Sequence, residues 1–248
     1  MLAAQSLVTW GIVVCCYVLS TALWWLLVVP RLRRGPGRDA AVGLVWRLSR
    51  WWLGWRQRPR FDGVAHLAAA LDRGPVIVVA NHTGAVDPFL VQSATSVLIR
   101  WMMARDMMGA GMDDVWALAR VIPVNRAGAD PGSLRQALRT LHSGGCVGIF
   151  PEGRITRPPG SLRPFHEGVG LLATRTGATV LPVWISGTPD VDGIGGSMLG
   201  RSRSQVVFLE PVTYDRSHPP EAVSADLRTR LAQASGWQLV DEAMPLIL

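Results

Sequence analysis

The residues best suited to chemistry are His82 and Asp87, five positions apart in the run Asn81-His82-Thr83-Gly84-Ala85-Val86-Asp87-Pro88. Histidine changes charge near neutrality, and a carboxylate that accepts one imidazole proton fixes the tautomer and leaves the other ring nitrogen as a base. The run follows the apolar segment Pro75–Ala80, so it reads as a strand-to-helix turn in which the carboxylate can fold back onto the ring. Such a pair is the lower part of a Ser-His-Asp relay, with a substrate hydroxyl in place of the serine. On spacing alone a structural reading stays open, in which His82 fills the turn and Asp87 caps the helix it precedes.

A second run, Phe150-Pro151-Glu152-Gly153-Arg154-Ile155-Thr156-Arg157, leaves another apolar segment. Its proline and glycine permit a tight turn, and its arginines offer charge-assisted forks to an anionic headgroup. An ordinary polar loop with a Glu-Arg pair is the alternative. Val121-Ile122-Pro123-Val124-Asn125-Arg126 is a third strand end with an arginine, and Val180-Leu181-Pro182-Val183-Trp184 suits the floor of a cleft. Other chemistries lack their residues. All 25 basic residues are arginine, which excludes a Schiff-base lysine and a Walker-type phosphate lysine. There is no G-x-S-x-G elbow, no H-E-x-x-H and no Cys/His spacing for a metal, so neither metal nor cofactor is expected.

In this order the four runs resemble the glycerolipid acyltransferase family that includes the 1-acylglycerol-3-phosphate acyltransferases. The resemblance extends from about Pro75 to Gly187. It rests on N-H-x-x-x-x-D at Asn81, His82 and Asp87, on Ile122–Arg126, on F-P-E-G from Phe150, and on Leu181-Pro182-Val183. An F-K-x-G element has its counterpart in Phe165-His166-Glu167-Gly168, with His166 in the lysine position. The resemblance implies that His82 is the catalytic base and Asp87 its partner. Arg126, Glu152, Gly153, Arg154 and Arg157 are then the substrate-binding residues. The third block departs from the common F-P-E-G-T-R-S, because Arg154 stands at the threonine position and Ile155 at the arginine position. This form resembles the variant in enzymes that reacylate 2-acylglycerophosphoethanolamine. It moves the expected acceptor from lysophosphatidate toward a phosphodiester lysophospholipid or another lysolipid such as lyso-ornithine lipid.

The elements that must position these residues form an α/β domain over residues 61–248, a single domain around a mostly parallel sheet flanked by helices. Strands are expected at 75–80, 99–104, 121–124, 146–150, 179–185 and 205–209, and helices from Asp87 through Val97 and at 112–120, 133–142, 168–176 and 222–235. Gly193–Gly200 reads as a mobile loop.

Ahead of this domain the chain is apolar. No charged residue occurs from Leu2 to Pro30, a stretch longer than the roughly 30 Å hydrocarbon core of a bilayer at about 1.5 Å per residue. Residues 1–30 are therefore read as a transmembrane anchor in preference to a cleaved signal peptide. Arg31, Arg33, Arg34 and Arg38 follow, which by the positive-inside rule places the remainder in the cytoplasm, at the inner membrane. Residues 31–60 carry nine arginines among Trp46, Trp51, Trp52 and Trp55. They are read as an interfacial helix, with Val45, Leu48, Trp52 and Trp55 on its bilayer side. A solvated basic face or a core helix is the alternative. The net charge of +7 fits an anionic membrane surface, and no nucleic-acid-binding motif is present. Three cysteines, two of them adjacent in the apolar stretch, make no disulfide framework.

The expected activity is transfer of a fatty acyl group from acyl-CoA or acyl-carrier protein to the hydroxyl of a lysolipid in membrane lipid synthesis or remodelling. A membrane-bound lipid hydrolase or transacylase is the second reading, and a non-catalytic membrane scaffold the third.

Overall fold

The computed structural model describes residues 2–126, 130–157, 159–191 and 193–241, with side chains from residue 10 onward. The final residues of the expected 61–248 domain, 242–248, lie outside the described residues. Two compact units make up the chain, residues 1–48 and residues 49–248.

The first unit is helical. Helix α1 (Leu2–Leu23) continues through a π-helical turn (Trp24–Val28) into α2 (Val29–Leu32), and α3 (Ala40–Arg56) begins in this unit and runs on into the second. The stretch Trp10–Leu32 is long and apolar enough to cross a membrane, and most of its large side chains, Trp24 and Trp25 among them, are exposed, while Val29 and Leu32 at its end are buried. Asp39 starts α3, its Oδ1 accepting from the Ala41 and Val42 amides at 2.8 and 3.1 Å. The start of α3 approaches α2 closely because Gly43 has no side chain; a Cβ there would lie 2.0 Å from the Leu32 carbonyl oxygen. Arg47 donates to the Arg31 carbonyl at 3.0 Å.

Farther along α3, Leu48, Trp51 and Trp55 are exposed, whereas Leu53 and Gln57 are completely buried. Trp52 departs from the expected pattern. It is half-buried and donates its indole N–H to the Met198 carbonyl at 3.1 Å, so Trp51 takes its place among the exposed residues.

The second unit carries a seven-stranded sheet in the order β1-β8-β7-β2-β5-β3-β4. The strands are β1 (Arg60–Asp62), β2 (Val76–Ala80), β3 (Ile99–Ala104), β4 (Ile122–Val124), β5 (Cys146–Ile149), β7 (Thr179–Ser186) and β8 (Gln205–Phe208). All neighbours run parallel except β7 and β8, which are antiparallel. A separate parallel pair joins β6 (Ser161–Leu162) to β9 (Gln238–Leu239). The apolar run in β2 is continuous because both faces are covered. Val76, Val78 and Ala80 pack with Leu53, Leu67 and Leu90 on one face, while Ile77 and Val79 pack with Leu141, Leu172 and Leu227 on the other. The helices covering these faces include α4 (Val64–Asp72), α5 (Asp87–Ser93), α7 (Pro131–His142), α8 (Gly168–Thr176) and α10 (Pro220–Ser235).

The structure differs from the sequence expectation in three places. Helix α5 stops at Ser93 instead of reaching Val97. The Gln92 amide captures the chain beyond it, donating to the Thr95 and Val97 carbonyls and accepting from the Ile99 amide at 2.9 Å. The expected loop at Gly193–Gly200 is largely a helix, α9 (Ile194–Leu199). Its last carbonyls find distant partners: Gln57 donates to Ser197 and Gly200 at 3.1 and 2.8 Å, and Trp52 donates to Met198. The third difference is a set of short elements that the sequence reading omits, the strands β1, β6 and β9 and the helix α4. Between β1 and α4, Gly63 adopts a φ of +69°, where a Cβ would lie 2.1 Å from the Phe208 carbonyl oxygen. A short helix α6 (Asp113–Leu118) precedes β4.

Candidate active site

Because β2, β5, β3 and β4 run parallel, the turns that leave their C-terminal ends share one edge of the sheet, the usual place for a site in such folds. Asn81 extends β2 by one further bridge. Its buried amide donates to the Ile185 carbonyl and accepts from the Ile185 amide, both at 2.8 Å, which ties the turn to β7.

The chain then folds back as the spacing predicts. His82 Nδ1 lies 2.9 Å from Asp87 Oδ2. The same oxygen accepts from the Thr83 amide at 2.6 Å and the Gly84 amide at 2.9 Å, and Asp87 is fully buried. Its hydrogen bonds thus go back to the turn and do not cap α5. A carboxylate so placed accepts the Nδ1 proton, and Nε2 is left with its lone pair. The His82 side chain keeps 18% of its surface exposed, enough for a reactant to reach the ring. Thr188 donates to the Thr83 hydroxyl at 2.9 Å, and the buried Ser197 hydroxyl accepts from the Val86 amide at 3.2 Å.

Behind the imidazole stand two more rings. His82 stacks on Phe150 with centroids 4.0 Å apart and planes 14° apart, and Phe150 stacks on Trp101 at 4.6 Å and 11°. Gly148 makes this possible, since a Cβ there would lie 2.5 Å from the Trp101 ring and 2.8 Å from the Ile99 side chain. Both rings and the serine of α9 escaped the sequence reading. Phe150 stands in a quoted motif, but its contact with His82 depends on the β2–β5 pairing.

Glu152 is grouped by sequence with the substrate contacts, and the structure turns it inward. It is 5% exposed. Its Oε1 accepts from the His82 amide at 3.1 Å, and its Oε2 accepts from the Thr156 hydroxyl at 2.5 Å and the Arg163 amide at 3.1 Å. The His82 carbonyl in turn accepts from the Thr156 amide at 2.9 Å. Burial pushes the Glu152 carboxyl above its ordinary pKa, against the lowering effect of these hydrogen bonds. Glu152 therefore holds the backbone of His82.

The three arginines take different directions. Arg126 donates to the Gly153 carbonyl at 3.2 Å and pairs with Asp106. The Arg126 hydrogen bond, helped by the nearby charges of Arg126 and Arg154, holds the Asp106 carboxyl below its usual value. Arg154 is half-buried on the same turn. Arg157 turns toward the loop after β7, pairing with Asp190 and donating to the Val191 carbonyl at 3.0 Å. Gly153 adopts a φ of +73° beneath the His166 ring, whose Nε2 would be 2.9 Å from a Cβ at that position. Among the described residues no group of three His, Cys, Asp or Glu side chains is placed to hold a metal ion.

A buried carboxylate orienting a histidine at the edge of a parallel sheet defines a class of site suited to removing a proton from a hydroxyl. Residues 58–186, just over half of the chain, match the Acyltransferase family, and the chain belongs to that family. Similar proteins carry more particular names. A chloroplastic 1-acyl-sn-glycerol-3-phosphate acyltransferase of Brassica napus is 27% identical over 149 residues, covering 56% of this chain and 41% of that one. The 1-acyl-sn-glycerol-3-phosphate acyltransferase of Borreliella burgdorferi is 28% identical over 116 residues, 46% of each chain. The chain thus spans less than half the length of these curated relatives. The crystal structure of the 1-acyl-sn-glycerophosphate acyltransferase PlsC from Thermotoga maritima superposes with a TM-score of 0.61 at 20% identity, over 79% of this chain and 80% of that one. That likeness bears on the fold.

Proposed function

We propose that this chain is a membrane-associated O-acyltransferase that moves a fatty acyl group from a thioester, acyl-CoA or acyl-carrier protein, to the hydroxyl of a lysophospholipid or related lysolipid. The observation that carries the reading is the 2.9 Å contact between His82 Nδ1 and a fully buried Asp87. Family membership and the names of the relatives support acyl transfer as the reaction class.

In this mechanism Nε2 of His82 takes the proton of the acceptor hydroxyl as its oxygen attacks the thioester carbonyl. Asp87 stabilises the imidazolium. The tetrahedral oxyanion collapses, the carbon–sulfur bond breaks, and the thiolate leaves with the proton carried by His82. Arg126, Gly153, Arg154 and Arg157 are assigned to the acceptor headgroup, and Glu152 to holding the His82 backbone in place. The apolar stretch Trp10–Leu32 and exposed Trp51 and Trp55 suit a bilayer and its interface, with the second unit on the cytoplasmic side of the inner membrane.

The test is a panel of lysophosphatidate, lysophosphatidylethanolamine and lyso-ornithine lipid, offered with acyl-CoA and with acyl-carrier protein and read by mass spectrometry. His82→Ala is expected to keep lipid binding and to lose acyl transfer by about 10²–10⁴-fold. Undiminished transfer in that variant would sink the proposal, and fatty-acid release without a thioester donor would favour a hydrolase.

A further inference from the structure

An open pocket with both polar and apolar walls lies on the outer part of the sheet. It has a volume of about 330 Å³ and is lined by Arg100, Arg120, Asp113, Trp116, Met108 and Pro123, among others. That size falls within the range of small-molecule pockets, roughly 300–1,000 Å³. None of the residues assigned to the acyltransferase site lines it.

Its charge is arranged for an anion. Arg100 projects from the start of β3, where its Nε donates to the Arg120 carbonyl at 2.9 Å and its Nη1 to the Thr140 hydroxyl at 2.8 Å. These bonds hold the guanidinium in place without neutralising it. Burial, then the like charges of Arg120 and Arg139, lower the Arg100 pKa, so three cations stand within electrostatic range of one another. The lining has one carboxylate, Asp113, and no ion pair joins it to these arginines among the described residues. Arg120 itself adopts a φ of +51°, a left-handed conformation uncommon outside glycine. In that conformation its carbonyl meets Arg100. Trp116 Nε1 is a buried donor with no partner in the lining wall, which adds an unsatisfied polar group.

We propose that this cavity binds a phosphate ester, with Arg100 and Arg120 on the phosphate and Arg139 adding to the field. A phosphate brings close to two negative charges and several acceptor oxygens for arginine forks, where a carboxylate brings one charge. The walls formed by Met108, Trp116 and Pro123 suit an ester carrying an organic group. Two sources share this chemistry, the phosphorylated nucleotide end of a thioester donor and a glycerol phosphate headgroup. The choice of these two sources rests on the acyl-transfer reading, whereas the phosphate site rests on its own lining; binding is measured without turnover, so either can fail alone.

Isothermal titration calorimetry on the full chain in detergent tests it, using adenosine 3′,5′-bisphosphate, sn-glycerol 3-phosphate and inorganic phosphate as probes. Saturable binding of at least one organic phosphate is expected. It should weaken roughly tenfold or more in Arg100→Gln and in the exposed double variant Arg120→Gln/Arg139→Gln, each checked for a native melting curve. Preference for the bisphosphate identifies the nucleotide source, and preference for glycerol phosphate the lipid source. Three outcomes overturn the proposal: no saturable binding of any probe, binding untouched by both sets of arginine variants, or inorganic phosphate as the sole ligand.

Discussion

The turn after β2 and the turn after β5 each bury one carboxylate, and both carboxylates serve His82 in different ways. Asp87 accepts from the imidazole ring, and Glu152 accepts from the amide of the same residue. Each also gathers donors from its surroundings, the Thr83 and Gly84 amides around Asp87, and the Thr156 hydroxyl and Arg163 amide around Glu152. The lesson is a separation of labour. One carboxylate sets the proton position on the ring, and the other sets where the ring stands. Changes at Asp87 should appear first in turnover, and changes at Glu152 first in stability.

The largest expected effect follows from Asp87→Asn, which keeps the shape but can leave the wrong tautomer on His82. Turnover should fall on the order of 10³–10⁴-fold with acceptor binding little changed. A loss confined to KM would break the comparison.

Glu152→Gln should instead cost about 1–3 kcal/mol of stability, because an amide NH₂ faces a backbone donor that needs an acceptor. Denaturant unfolding measures it, and turnover per folded molecule should drop far less than in Asp87→Asn. The pH dependence carries a definite sign. Burial raises the folded pKa of Glu152, so the native state binds more protons than the unfolded chain. Its contribution is fully present below the ordinary Glu pKa of about 4.3 and is lost as pH rises through the raised folded value. The stability gap between wild type and Glu152→Gln should therefore narrow with rising pH in that window. A gap that widens would mean that the carboxyl is not raised.

Phe150→Leu removes the stack behind the imidazole and should cost about 0.5–1.5 kcal/mol beyond the lost contact area. Melting temperature and turnover should both fall modestly.

The smallest test sets two threonines side by side. Thr156 donates to Glu152 at 2.5 Å, whereas Thr83 lies 3.3 Å from Asp87 Oδ1. Thr156→Val should cost about 1 kcal/mol, and Thr83→Val less, as measured by equilibrium unfolding. The reverse order would mean that Asp87 depends on its side-chain donor more than on its amides.

The contact between His82 and Asp87 was legible in the sequence because the two meet within one turn, so local spacing suffices. The buried strands were legible because apolar side chains cover both faces of β2 and β5. Glu152 was misplaced among the headgroup contacts because its partners come from His82, Thr156 and Arg163, brought together by the β2–β5 pairing. Helix α9 was hidden by its glycines, which weaken any helix signal. It forms because Gln57 and Trp52, about 140 residues earlier, satisfy its final carbonyls. The direction of β8, antiparallel to β7, depends on its pairing partner, which no local alternation records.

Gly148 and Trp101 illustrate a further constraint. Neither touches a reactant in the proposed chemistry, yet the indole occupies the space that any side chain at 148 would need. The two positions therefore lack independent histories: a larger residue at 148 becomes tolerable only after Trp101 has shrunk and the Ile99 side chain has shifted, and shrinking Trp101 alone leaves a hole behind Phe150. Drift at the foundation of the histidine stack must proceed through paired replacements, so the ring behind the base and the glycine beneath it should covary across lineages that share this fold.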